Sequence, residues 1–202
     1  MTPEQRRQYL LMAERRAKRG SGSDPRVLRE RTEAFGSPDL RCLLGRVEFV
    51  VVGGLATRLY MPERMTLDVD ILIRRVDVLA VEAALRGGGF EKKGGLSVGG
   101  STWSMGDRGI LDVVALDEPW VEEALRAPVR GKDGLPYIAL PYLVLMKLGA
   151  SRAQDLADIS RMLGGAGDEA IEQARRLVRL YRSQDIEDLN SLIRLGQLEY
   201  EE

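Results

Sequence analysis

Residues 50–73 read VVVGGLATRLYMPERMTLDVDILI. An apolar run, Phe49-Val50-Val51-Val52, halts at Gly53-Gly54. Thirteen residues, Leu55 to Leu67, then lead to Asp68-Val69-Asp70 inside a second apolar run. Packing alone gives no reason for two carboxylates in such a run, because an unpaired charge is costly to bury. Val47–Val52, β-branched and apolar apart from Glu48, reads as a buried strand. Gly53-Gly54 reads as a tight turn, and Leu55, Leu59 and Tyr60 as a short helix closed by Pro62. Leu67–Ile73 reads as a second strand. Its alternation places Asp68, Asp70 and Leu72 on one face and Leu67, Val69, Ile71 and Ile73 on the other.

Two carboxylates at i and i+2 on a strand project together and can share a divalent cation. Carboxylate oxygens suit Mg²⁺. A third acid on a neighbouring strand would complete a two-metal site, and Asp112, alone in the apolar strand Ile110–Leu116, is the natural candidate. Glycines at the strand-to-helix turn let the backbone approach a phosphate, and a helix N-terminus offers N–H donors to an anion. Each piece has a plainer reading. Gly-Gly after a strand is commonly a turn, Asp-x-Asp is commonly a half-exposed face, and a lone acid faces solvent. The order and spacing of all the pieces together give the pattern its meaning: a phosphate cradle beside a carboxylate pair.

The rest of the chain sets the frame. Thr2-Pro3-Glu4 opens a helix to about Arg19, Asp24-Pro25 a second ending near Gly36, and Ser37-Pro38-Asp39 a short third carrying Leu40, Leu43 and Leu44. Val76–Arg86 is helical and ends at Gly87-Gly88-Gly89. Phe90–Lys93 and Thr102–Met105 are strands, followed by Ile110–Leu116. Pro119–Leu125 is a short helix and Tyr137–Leu140 is extended. Four helices follow, at about Pro141–Gly149, Arg152–Leu163, Asp168–Tyr181 and Ile186–Leu195. The expected fold is α/β in the α+β sense: a mixed sheet with helices, an N-terminal helical prefix and a C-terminal helical bundle. Its expected parts are an extension over 1–45, a core over 46–140 and a helical region over 141–202.

Composition narrows the chemistry. Hydrophobic residues at 44% and charged residues at 30% are those of a soluble globular protein. Histidine is absent, which removes Ser-His-Asp and Cys-His catalysis and the usual zinc sites. Cys42 is the only cysteine, so no internal disulfide forms and a reducing cytoplasm is expected. No signal peptide or membrane span is evident. Net charge is −1. Residues 1–36 hold nine Arg or Lys against five acids, and 183–202 hold six acids against Arg194 alone. These ends read as solvated helix faces, with nucleic-acid contact by the basic end as the sharper alternative.

Val52-Gly53-Gly54, the thirteen-residue gap and Asp68-Val69-Asp70-Ile71 resemble the signature of the nucleotidyltransferase (polymerase-beta-like) superfamily. Within it, Arg64-Met65-Thr66-Leu67-Asp68-Val69-Asp70 resembles the Arg-x-Thr-x-Asp-x-Asp form of small bacterial AbiEii/MenA-type toxins. The segment Leu140-Pro141-Tyr142-Leu143-Val144-Leu145-Met146-Lys147-Leu148, with Arg152, Asp155 and Asp158, is also similar to theirs. The resemblance spans roughly residues 46–163 and leaves the prefix and tail outside. Such proteins carry Ser or Gly at the position of Gly54, and with Gly only the backbone can contact phosphate.

The resemblance implies that Asp68 and Asp70 ligate Mg²⁺ and that Asp112 is a third ligand or the base for the attacking hydroxyl. It implies that Gly53 and Gly54 hold the triphosphate of an NTP and that Lys147, Asp155 and Asp158 belong to the nucleotide site. On an ideal helix Lys147 and Asp158 nearly eclipse, so a structural ion-pair network is the alternative for these three. Arg64 is expected to pair with a local acid, and Thr66 to favour the strand. The implied activity is Mg²⁺-dependent transfer of a nucleoside monophosphate to an acceptor hydroxyl on RNA, tRNA in particular, or on protein. The setting would be a toxin–antitoxin or phage-defence pair with a cognate antitoxin. A small-molecule acceptor of the aminoglycoside kind is the runner-up, and a non-catalytic binding fold is the other class of reading.

Overall fold

A computed structural model describes residues 1–16, 40–61, 68–104 and 109–200. The helix expected over Asp24–Gly36, the helix start at Ser37-Pro38-Asp39, and Pro62, Arg64, Thr66, Leu67 and Met105 lie outside the described residues. The chain divides into two compact units. One gathers Glu33–Leu59 and Arg64–Ala139, the other Met1–Thr32, Tyr60–Glu63 and Leu140–Glu202.

The first unit carries the sheet. Its elements are α2 (Leu40–Leu44), β1 (Val50–Val52), α3 (Gly53–Thr57), β2 (Val69–Arg74), α4 (Val78–Gly87), β3 (Glu91–Gly95), β4 (Gly100–Ser104), β5 (Ile110–Leu116), α5 (Pro119–Arg126), β6 (Val129–Arg130) and β7 (Pro136–Tyr137). A single 3-10 turn, Arg75–Asp77, precedes α4. The seven strands form one sheet in the order β3-β4-β5-β2-β1-β7-β6. β2 pairs with β5 in parallel, as does β1 with β7, and the other neighbours are antiparallel. The sheet is therefore mixed, as the alternation of strands and helices predicts.

β1 lies inside the sheet, and all three of its valines are fully buried. A strand covered on both faces reads as an unbroken apolar run, and Val50-Val51-Val52 does so. The expected strand start at Val47 comes three residues too early. Glu48 lies before the strand and sends its carboxylate to Arg74, so it interrupts nothing. That arginine ends β2 and also binds Glu122 of α5 at 2.5 Å and Asp77 at 3.1 Å. Gly53-Gly54 is not a turn before a helix; the two glycines are the first residues of α3. β6 has no apolar pattern, since Val129 and Arg130 are both exposed, and it was not legible as a strand.

The second unit is helical: α1 (Pro3–Arg16), α6 (Leu140–Ala150), α7 (Ala153–Gly164), α8 (Asp168–Tyr181) and α9 (Ile186–Tyr200). Thr2 and Gln5 cap α1 reciprocally, each backbone N–H donating to the other's side chain, at 2.9 and 3.2 Å. α8 has the bounds the sequence predicts. α7 and α9 touch at the backbone, because a Cβ on Gly196 would run into the Ser160 carbonyl. α1 packs on α9, burying Leu10, and Arg6 donates to Asp188 at 2.7 Å and also bonds Asp185 and Ser151. A basic residue on the inner face of a polar helix gave the sequence reading no sign of this, since its acids lie about 180 positions away. No helix among the described residues is long and apolar enough to cross a membrane.

Candidate functional site

β2 and β5 each carry a single acid between two apolar residues: Val69-Asp70-Ile71 and Leu111-Asp112-Val113. The two strands run parallel with Asp70 opposite Asp112. Register partners on neighbouring strands share a face about 4.8 Å apart, so the two carboxylates stand side by side. Both residues are half-buried. The Asp112 Oδ1 atom is buried and has no hydrogen-bond partner among the described residues. A carboxylate oxygen in that condition costs stability unless something fills its coordination.

Gly53 stands against this pair. Val52 is the register partner of Asp70 across β1 and β2, and the next residue turns into α3 with φ +60. A Cβ at Gly53 would meet the Asp70 carboxylate. Glycine is thus required twice, for the left-handed backbone and for the close approach. The buried Thr57 hydroxyl donates to the Gly53 carbonyl at 2.8 Å and holds the bend. A threonine four residues after the glycine is the spacing for that bond, so the sequence carries its signal. α3 is five residues long, so its dipole is slight.

Asp68 is exposed and sits one residue before β2 begins, outside the ladder that sets the positions of Asp70 and Asp112. Among the described residues, no group of three His, Cys, Asp or Glu side chains is drawn together to hold a metal ion. The expected set of Asp68, Asp70 and Asp112 is therefore not gathered as one three-acid cluster. The pair of Asp70 and Asp112, with its orphaned oxygen, still fits Mg²⁺ in kind. That ion is commonly held by one or two carboxylates plus substrate phosphates rather than by an all-protein cage.

Lys147, Asp155 and Asp158 come together in the helical unit. Lys147 on α6 donates to Asp158 at 2.7 Å and to Asp155 at 3.3 Å, with all three side chains buried. They do not lie on one continuous helix. α6 ends at Ala150, Ser151 takes a left-handed φ of 50, and α7 starts at Ala153, so the contact crosses a helix–helix corner. Gln154 adds a bond to Asp158 at 2.9 Å. Asp155 also accepts from the Arg152 guanidinium at 2.7 Å and from the Arg152 backbone N–H at 3.3 Å, capping α7. Burial pushes the Asp155 carboxyl up, but the Arg152 bond and the Lys147 charge outweigh it and hold it below its ordinary value. The structural ion-pair alternative is the one these contacts describe.

The chain matches no known protein family and no curated protein. Among solved structures it is similar to the antibiotic-resistance factor ANT(2'')-Ia. The solution structure shares 16% identity at a TM-score of 0.40, over 73% of this chain and 82% of that one. The crystal structure with adenylyl-2''-tobramycin shares 18% at a TM-score of 0.41, over 73% and 87%. A superposition that loose carries no conclusion about activity, and the reading of the site stands on the sheet and its acids.

Proposed function

We propose that this chain is an Mg²⁺-dependent nucleotidyltransferase that moves a nucleoside monophosphate from an NTP to an acceptor hydroxyl and releases pyrophosphate. The observation that carries the reading is the pairing of Asp70 with Asp112 on adjacent parallel strands, with Gly53 held against Asp70. Asp70 and Asp112 would hold the ion without Asp68, which is exposed one residue before β2. The bound cation would neutralise charge on the phosphates during the displacement. Backbone N–H groups of Gly53 and Gly54 would contact the triphosphate, since neither residue has a side chain of its own. Asp112 takes the proton of the acceptor hydroxyl. That oxygen bonds to the α-phosphorus as the α–β phosphoanhydride bond breaks, and pyrophosphate leaves. Lys147 has no step here, because its ammonium is buried against Asp155 and Asp158.

The acceptor we propose is RNA, with tRNA first and protein second, in a toxin-like role. The support is the likeness of residues 64–70 to the Arg-x-Thr-x-Asp-x-Asp form. One observation favours a second reading, a non-catalytic nucleotide- or partner-binding fold: the lack of a three-acid group among the described residues. Incubation with each α-labelled NTP, Mg²⁺ and either total tRNA or cell protein separates the two. The enzyme reading predicts label on one acceptor pool, lost on chelation of Mg²⁺. NTP binding without transfer to any pool would support the second reading.

A further inference from the structure

The row of register partners that contains the two acids continues beyond them. Val52, Asp70, Asp112, Thr102 and Gly94 are successive partners across β1, β2, β5, β4 and β3. They therefore project from one face in a line, with about 4.8 Å between neighbours. On β4 that face carries Gly100, Thr102 and Ser104, all half-buried, while Ser101 and Trp103 of the opposite face are buried. α4 serves the opposite face, where its Arg86 stands 5.5 Å from the Trp103 ring. The Thr102 hydroxyl makes no hydrogen bond to any described residue. Beyond it, Gly94 is exposed, and a Cβ there would meet nothing within 4 Å.

The geometry points to Thr102 as the acceptor-binding residue of the site, with the bare backbone of Gly94 as the floor of an open shelf for the acceptor. This rests on the transfer reaction proposed above. In-line displacement places the leaving and attacking oxygens on opposite sides of the phosphorus. The triphosphate lies toward Gly53, at the β1 end of the row, so pyrophosphate departs on that side. The attacking hydroxyl then arrives from the opposite end, past Asp112, and there the first side chain is Thr102. Its free hydroxyl donates to or accepts from the acceptor beside the group that Asp112 deprotonates. Glycine at position 94 leaves the width that a chain or ring attached to that hydroxyl needs.

The test uses full-length protein and whichever of total tRNA and cell protein takes label. Thr102→Val keeps the strand-favouring shape and removes the hydroxyl; Thr102→Ser restores it. The expected result is a rise in KM for the acceptor of about tenfold in Thr102→Val, an unchanged Kd for the NTP, and recovery to within about twofold in Thr102→Ser. Gly94→Val, whose side chain enters open space, is expected to raise acceptor KM with an unaltered unfolding midpoint. Acceptor KM unchanged in both Thr102→Val and Gly94→Val, while Asp70→Ala is dead, would overturn this assignment and leave the reaction standing. Wild-type protein that labels no acceptor would overturn the reaction and this assignment together.

Discussion

Gly53 shows how much one residue can carry. Its φ of +60 disfavours any side chain, and its Cα faces the Asp70 carboxylate so closely that a methyl group has no room. Gly53→Ala is expected to cost about 2 kcal/mol in urea unfolding and to reduce transfer sharply, because relief of the clash moves Asp70. Asp112 differs in kind. Its Oδ1 has no partner among the described residues to lose, so Asp112→Asn is expected to leave the unfolding midpoint unchanged or raised. If Asp112 is the base, kcat falls by about 10²–10⁴. A kcat within twofold of wild type would remove Asp112 from the chemistry. The acids were legible in the sequence, since a charge inside an apolar strand is conspicuous. The reason for Gly53 was not, because its contact with Asp70 depends on a strand register that no local pattern states.

At the scale of elements, two buried ion clusters hold the helical unit. Arg6 of α1 faces Asp185 and Asp188, all nearly inaccessible to solvent. Arg6→Ala would remove the buried cation shared by two buried carboxylates, leaving Asp185 to Arg182 at 2.6 Å and Asp188 to Arg7 at 3.6 Å, and is expected to destabilise by about 3 kcal/mol, read from the urea midpoint. A loss below about 1 kcal/mol, the scale of a surface pair, would show that the cluster is solvated. At the α6–α7 corner, Asp155 binds protons less readily when folded than when unfolded. The unfolded chain then holds the extra proton in acid, so stability rises with pH through this window. The contribution is full above the ordinary carboxylate value of about 3.9 and is lost as pH falls through the depressed one. Unfolding of wild type and Asp155→Asn compared from pH 6 to pH 3 should show a steeper acid loss in wild type; parallel curves would contradict the assignment. Helix α8 was legible because Gly164, Gly165 and Gly167 precede Asp168 and its apolar residues repeat at 3.6. The corner was not, because helical phase alone treats Lys147 and Asp158 as one helix, whereas Ser151 breaks it.

On the scale of the whole molecule, the sheet unit holds Gly53, Asp68, Asp70, Asp112 and Thr102, and the helical unit holds the lysine cluster. A three-part chain was the expectation. Within the helical unit, Arg6 ties the first helix to residues more than 140 positions later. The mixed sheet could be read from the order of apolar runs, but its exposed β6 strand could not. Asp70 and Asp112 are proposed to serve nucleotidyl transfer. The same NTP labelled at the α- or the γ-phosphate, supplied with Mg²⁺ and the acceptor pool, tests it most directly. The expected result is α-label on the acceptor, γ-label released as pyrophosphate, and neither event in Asp70→Ala; γ-label on the acceptor, or full transfer by Asp70→Ala, would contradict that role.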